Sequence, residues 1–75
     1  MTLQQIRDTY RKAPFVPFTL RMADGRALHV PHPDYMSISP AGRTVIVYAA
    51  DGGFSILDAL LITEIEMNPP STAAA

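Results

Sequence analysis

Phe18-Thr19-Leu20-Arg21-Met22-Ala23-Asp24-Gly25-Arg26-Ala27-Leu28-His29-Val30 is the stretch on which the fold turns. Its Asp24-Gly25 pair offers two ways of closing a hairpin. A two-residue turn sets Leu28 and Val30 beside Arg21 and Thr19, whereas a three-residue loop with Gly25 left-handed sets Leu20 against Leu28 and Phe18 against Val30. Only the second gathers Phe18, Leu20, Met22, Leu28 and Val30 on one face and leaves Thr19, Arg21, Ala27 and His29 on the other. The apolar pattern selects the longer loop.

The same punctuation recurs downstream. Ser39-Pro40-Ala41-Gly42-Arg43 and Ala49-Ala50-Asp51-Gly52-Gly53 both read as a type I turn closed by a left-handed glycine. Pairing outward from these loops opposes Tyr48 to Phe54, Ile46 to Ile56, Ile38 to Thr44 and Met36 to Ile46. On that register the three hairpins share one apolar face built from Phe18, Leu20, Met22, Leu28, Val30, Met36, Ile38, Ile46, Tyr48, Phe54 and Ile56. Val45-Ile46-Val47-Tyr48 is apolar on both faces, which predicts a central or doubly covered strand. Val30-Pro31-His32-Pro33-Asp34 reads as a sharp corner inside one long second strand, because two prolines deny ladder hydrogen bonds. Leu57-Asp58-Ala59 predicts a short turn before a last strand from Leu61 to Met67.

Upstream, Thr2 and Gln5 have the spacing of a capping box, and Leu3, Ile6 and Tyr10 recur at helical intervals. Pro14 and Pro17 stop the helix near Ala13. A helix of that length is marginal alone and must pack its stripe on the strands, where it is a natural second cover for 45–48. The order predicts a mainly β chain, α+β by content: an N-terminal helix followed by a five-stranded, strongly bent antiparallel small β-barrel. One domain spans 1–67, and the Pro-Pro-Ser-Thr-Ala-Ala-Ala end reads as a flexible tail over 68–75.

Composition narrows the function. Seventy-five residues leave room for a single core, and the absence of cysteine removes disulfides and thiolate-bound zinc as staples. A formal charge of -1 without charge blocks argues against a broad nucleic-acid or anionic-lipid footprint. No apolar run reaches a membrane span, and the start of the chain does not read as a secretory signal, which predicts a cytoplasmic location with no membrane partner.

The run Ala50-Asp51-Gly52-Gly53-Phe54-Ser55-Ile56-Leu57-Asp58-Ala59-Leu60-Leu61-Ile62-Thr63-Glu64-Ile65 resembles the third-to-fifth-strand region of Hfq and Sm-like proteins, and the upstream helix and Gly25 turn follow the same order. The resemblance covers residues 3–67 and implies an Sm-like barrel. Where that family builds its uridine pocket from an aromatic, a lysine and a histidine, this chain has Asp58, Ala59 and Leu60, so the pocket does not carry over. The chain also resembles a set of small bacterial proteins with a Pro-Phe-x-Pro-Phe start, an Asp-Gly-Arg turn, a Val-Pro-His-Pro-Asp corner and a Gly-Arg-Thr-x-Ile-Val-Tyr strand. That likeness implies no activity.

Candidate sites follow from residue type. His29, His32 and Asp34 cluster at the corner and include metal-binding chemistry, against a reading in which His32 or Asp34 simply bonds nearby backbone N–H groups. Ser37, Ser39 and Ser55 lack a nucleophile elbow or triad setting, and Asp24 and Asp51 sit in turns where Asp is expected for its own backbone bond. No enzyme and no cofactor is predicted. Arg21, Arg26, His32, Tyr35 and Arg43 form a candidate surface for RNA or a partner, with RNA disfavoured by the net charge. Phe54, Leu57, Leu60, Leu61 and Ile62 form a candidate oligomer edge, since exposed strand edges with apolar flanks invite pairing between copies. The expectation is a non-enzymatic oligomerising or partner-binding module. RNA binding by an Sm-like protein is the alternative, and a metal site at His29, His32 and Asp34 is third.

Overall fold

The computed structural model describes residues 2–67. The expected tail, 68–75, lies outside the described residues. Helix α1 runs Leu3–Tyr10. Its N-terminus is closed by the capping box: the Thr2 hydroxyl accepts from Gln5 N–H at 3.3 Å, and the Gln5 side-chain oxygen accepts from Thr2 N–H at 3.1 Å. The helix ends at Tyr10, a turn short of the expected Ala13. Arg11 N–H still reaches Arg7 O at 2.9 Å, but Lys12 N–H falls back to Thr9 O at 3.4 Å, and Pro14 restricts the residue before it.

Six strands follow: β1 Phe18–Met22, β2 Ala27–Val30, β3 Met36–Ile38, β4 Thr44–Tyr48, β5 Phe54–Asp58 and β6 Ile62–Met67. They form two separate three-stranded antiparallel sheets, ordered β2-β1-β6 and β3-β4-β5. The expected five-stranded Sm-like barrel is therefore corrected, because neither sheet closes. The cause lies at the corner. Pro31 and Pro33 offer no N–H, and Pro33–Tyr35 winds as one turn of 3-10 helix capped by His32. That turn cuts the expected long second strand into β2 and β3, and each half serves a different sheet.

The first and third hairpins keep the expected register. Phe18 faces Val30 and Leu20 faces Leu28, while Ile46 faces Ile56 and Tyr48 faces Phe54. The middle hairpin does not. Ser39 N–H donates to Thr44 O at 2.9 Å, and the Ser39 hydroxyl accepts from Gly42 and Thr44 N–H. The loop thereby takes in Arg43 as well, and Met36 meets Val47 rather than Ile46. A slip of one residue turns a whole strand over. Val45, Val47 and Leu57 face inward, and Ile46, Tyr48, Phe54 and Ile56, expected in the core, face outward.

The sheets share one core. Phe18, Leu20, Met22 and Val30 from one and Met36, Val45, Val47 and Leu57 from the other pack with Ile6 of α1. A fully buried side chain of this kind contributes roughly 1.5–3 kcal/mol by leaving water. The Tyr10 hydroxyl lies 3.0 Å from Pro33 O and 2.9 Å from Met36 O and donates to this pair of carbonyls, pinning the helix to the corner. Leu3 lies against Gly42, whose φ of 87° and lack of Cβ permit the approach. The helix thus covers the corner and the β3–β4 turn, not the outer face of β4 as expected. In β6, a bulge opposite Arg21 and Met22 brings Ile62 into the core beside Ile65 of the same strand, which packs against it. Among the described residues no helix is long and apolar enough to cross a membrane.

Candidate functional site

Alternation along β4 and β5 brings Thr44, Ile46 and Tyr48 onto one surface with their partners Asp58, Ile56 and Phe54. Tyr48 is 39% exposed, Phe54 62% and Ile56 65%. The Tyr48 and Phe54 rings lie 6.4 Å apart at 50°, a tilted pair on the open face. Among the described residues β5 is an edge strand, with one side of its backbone lacking a ladder partner within the sheet. The 3-10 turn Ala59–Leu61 that follows buries Ala59 and leaves Leu60 and Leu61 exposed.

Asp58 fixes that turn. Its Oδ1 accepts from Leu60 N–H at 2.9 Å, and the Arg43 guanidinium reaches its carboxylate at 3.3 Å. The Leu60 N–H and then Arg43 favour the ionised form, so the carboxyl titrates below its ordinary range. The turn is tied at both ends by main-chain bonds, Ala59 N–H to Arg43 O and Ala23 N–H to Leu61 O, each 2.8 Å. Leu60 and Leu61 are therefore presented by a fixed element.

The expected oligomer edge divides. Phe54, Leu60 and Leu61 are exposed, whereas the side chains of Leu57 and Ile62 are core. Sequence reasoning misses Ile56 and Tyr48 as surface residues, and the signal that would find them is the extra residue in the Ser39–Thr44 loop.

The expected RNA or partner residues are scattered and mostly paired. Arg21 on β1 binds Glu66 at 2.7 Å and approaches Glu64 at 3.7 Å, and its hydrogen bond to Glu66 raises its pKa further. Arg26 in the first turn binds Asp24 at 3.0 Å, whose carboxyl titrates low chiefly because it accepts the Arg26 N–H. Arg43 is held by Asp58. Tyr35 packs its ring on the core from the corner, beside exposed His32. Each of the three guanidiniums sits beside a carboxylate, so these arginines make no basic track.

The corner histidines part as well. His29 Nδ1 lies 3.2 Å from the Thr19 hydroxyl on the outer face of β1–β2, while His32 Nδ1 accepts from Asp34 N–H at 3.3 Å and so caps the corner turn. Among the described residues no group of three His, Asp or Glu side chains could hold a metal ion. A groove of about 360 Å³ between β2 and the β4–β5 hairpin is lined by Leu28, His29, Val47, Tyr48, Asp51 and Phe54, among others. Within it Asp51 is turned back onto Gly53 N–H at 2.9 Å and His29 onto Thr19, so neither is placed as an acid or base for the other. No family model, no curated protein and no solved structure matches the chain.

Proposed function

We propose that this chain is a non-catalytic binding module that works by covering the outer face of β4–β5 and the adjoining Leu60–Leu61 turn with another protein surface. One observation carries the reading: five large apolar side chains, Tyr48, Phe54, Ile56, Leu60 and Leu61, are exposed on one sheet and the turn that leaves it. Contiguous apolar surface rimmed by polar groups marks contact sites in soluble proteins. The polar Asp51 loop borders the sheet face at one end, and at the other the Arg43–Asp58 pair lies between that face and the Leu60–Leu61 turn.

A photo-activated cross-linker placed at Phe54 or Leu60 in cells tests this. Adducts at those positions, and none from Thr19 on the other sheet, are the expected result. Blank lanes at Phe54 and Leu60 would overturn the proposal.

A further inference from the structure

Resting on that reading, we infer that the occupant of the β4–β5 face is the same face of a second copy, related by a two-fold axis that lies between the sheets and runs along the strands. Rotation about such an axis keeps the ends of the sheet together and exchanges its sides, so β4 of one copy lies over β5 of the other. Each residue then lies over the second copy of its own cross-strand neighbour, Ile46 over Ile56, Tyr48 over Phe54 and Thr44 over Asp58, and Arg43, next to Thr44 and paired with Asp58, brings its ion pair over that of the other copy. The contact is isologous and closes at two copies.

Charge selects this arrangement over its alternatives. Arg43, Thr44, Ile56 and Asp58 line one open concavity on the outer face, so the ion pair belongs to the same surface as the apolar side chains. With the axis along the strands, Arg43 and Asp58 of each copy face the opposite charge of the other, forming a four-membered alternating set. With the axis across the strands, the same charges would be pressed under Tyr48 and Phe54 and lose water without a new partner. The outer face of the other sheet carries Glu64 and Glu66 around Arg21, and a copy of itself would meet it with excess negative charge. The β4–β5 face is the one that its own copy complements.

Size sets the strength. From the exposures of Tyr48, Phe54 and Ile56, two copies remove on the order of 600 Å² of apolar side chain from water. That is within the range of small, reversible interfaces, below about 1,200 Å². The dimer should dissociate on dilution.

Sedimentation equilibrium of the purified full chain, over a concentration series, reads the outcome directly. We expect a reversible step from 8.2 kDa to twice that mass. Ile56→Lys should weaken association at least about tenfold, as expected when a central contact is replaced by charge, with the circular dichroism of the monomer unchanged. Arg43→Asp and Asp58→Arg should each associate weakly alone. An equimolar mixture of the two should form a mixed dimer, because the two carboxylates that one variant carries at positions 43 and 58 then face the two guanidiniums of the other. Neither an intrachain ion pair nor a change in monomer stability produces that mixture effect. Should the loss of the Asp58 cap unfold that variant, isotope-filtered NOEs between Tyr48 of a labelled copy and Phe54 of an unlabelled one serve in its place, and their absence at concentrations where a dimer forms overturns the geometry. A chain that stays monomeric at millimolar concentration also overturns the inference. If Phe54 then cross-links in cells to a protein of another mass, the binding reading stands and the second copy is excluded as its occupant.

Discussion

On the outer face of β1–β6, Arg21 lies between Glu64 and Glu66; at the corresponding place on β4–β5, Ile46 lies against Ile56 and Tyr48 against Phe54. The inner faces of both sheets are apolar apart from Ser55 and feed one core. The outer faces therefore differ by sequence, not by construction. A sheet finished with ion pairs is complete in water, because its cross-strand contacts persist there, while one finished with aliphatic and aromatic side chains lowers its free energy further by being covered. The contrast separates what the chain needs to fold from what it has left over.

The strongest way to break that comparison is to exchange the two faces of β4. Val45→Asp places a carboxylate among fully buried side chains, and the chain should lose more than about 4 kcal/mol and fail to fold cooperatively in denaturant titration. Ile56→Lys, on the strand beside it but facing out, should leave the midpoint of the monomer within about 0.5 kcal/mol of the parent. Equal losses from the two would mean that the outward face is structural after all.

That exchange also marks where the fold is legible in the sequence. The Asp24-Gly25 hairpin can be read because Phe18, Leu20, Leu28 and Val30 alternate with polar residues, so only one register satisfies them. Val45-Ile46-Val47-Tyr48 has no polar residue to break the tie, and either face serves as a core face. The tie is broken by one residue in a loop, where the Ser39 hydroxyl takes two N–H groups and draws Arg43 into the turn. Loop length of that kind is decided by a side-chain bond which periodicity does not register. The barrel fails for a related reason: Pro31 and Pro33 announce a bend, but whether a bent strand stays one strand depends on the turn that His32 caps. Of the candidate contact surface, Leu60 and Leu61 are legible because the edge is, Tyr48 and Ile56 are not because they sit on the face that periodicity assigns to the core, and Phe54 is read both ways, as core by its register and as edge by its strand.

The hairpin turns sharpen the comparison at a lower level. Gly25 and Gly42 both have positive φ, 95° and 87°. A methyl group at Gly25 meets nothing within 4 Å among the described residues, so Gly25→Ala should cost only the left-handed strain, about 1 kcal/mol. At Gly42 the same methyl would collide with the Leu3 side chain and crowd the Arg7 guanidinium, so Leu3 must leave its seat on the β3–β4 turn. Gly42→Ala should cost about 2–4 kcal/mol and lower helical ellipticity with it. Identical losses would show that the helix is not seated on that turn.

Smaller again is the contribution of the charged outer face. Arg21→Ala removes an exposed pair held by Glu66, and its modest destabilisation should disappear in molar salt, where such pairs are screened. The outward face of β4–β5 should respond in the opposite sense, since salts excluded from protein surfaces favour burial of apolar groups. Sulfate titrations of the parent, followed by sedimentation, should therefore raise the associated fraction.

Asp58 joins both sides of the comparison and gives the smallest expected effect. Its carboxyl titrates below the ordinary 3.8 because Leu60 N–H and Arg43 hold the ionised form in the folded chain and have no counterpart in the unfolded one. A depressed folded-state value stabilises at neutral pH, and that stabilisation fades as pH falls through the unfolded and then the folded value. Denaturant midpoints measured from pH 6 down to pH 2 should accordingly fall less steeply for Asp58→Asn than for the parent, while the two curves approach one another at the acid end. Since the same carboxylate caps the turn that presents Leu60 and Leu61, amide exchange at Leu60 should quicken over that acid interval in the parent and show no such step in Asp58→Asn, whose side-chain carbonyl accepts the same N–H at every pH. If Leu60 exchange shows no dependence on pH beyond the intrinsic rate, the turn is held by the Ala59 and Leu61 main-chain bonds alone, and Asp58 belongs to the contact face only through Arg43.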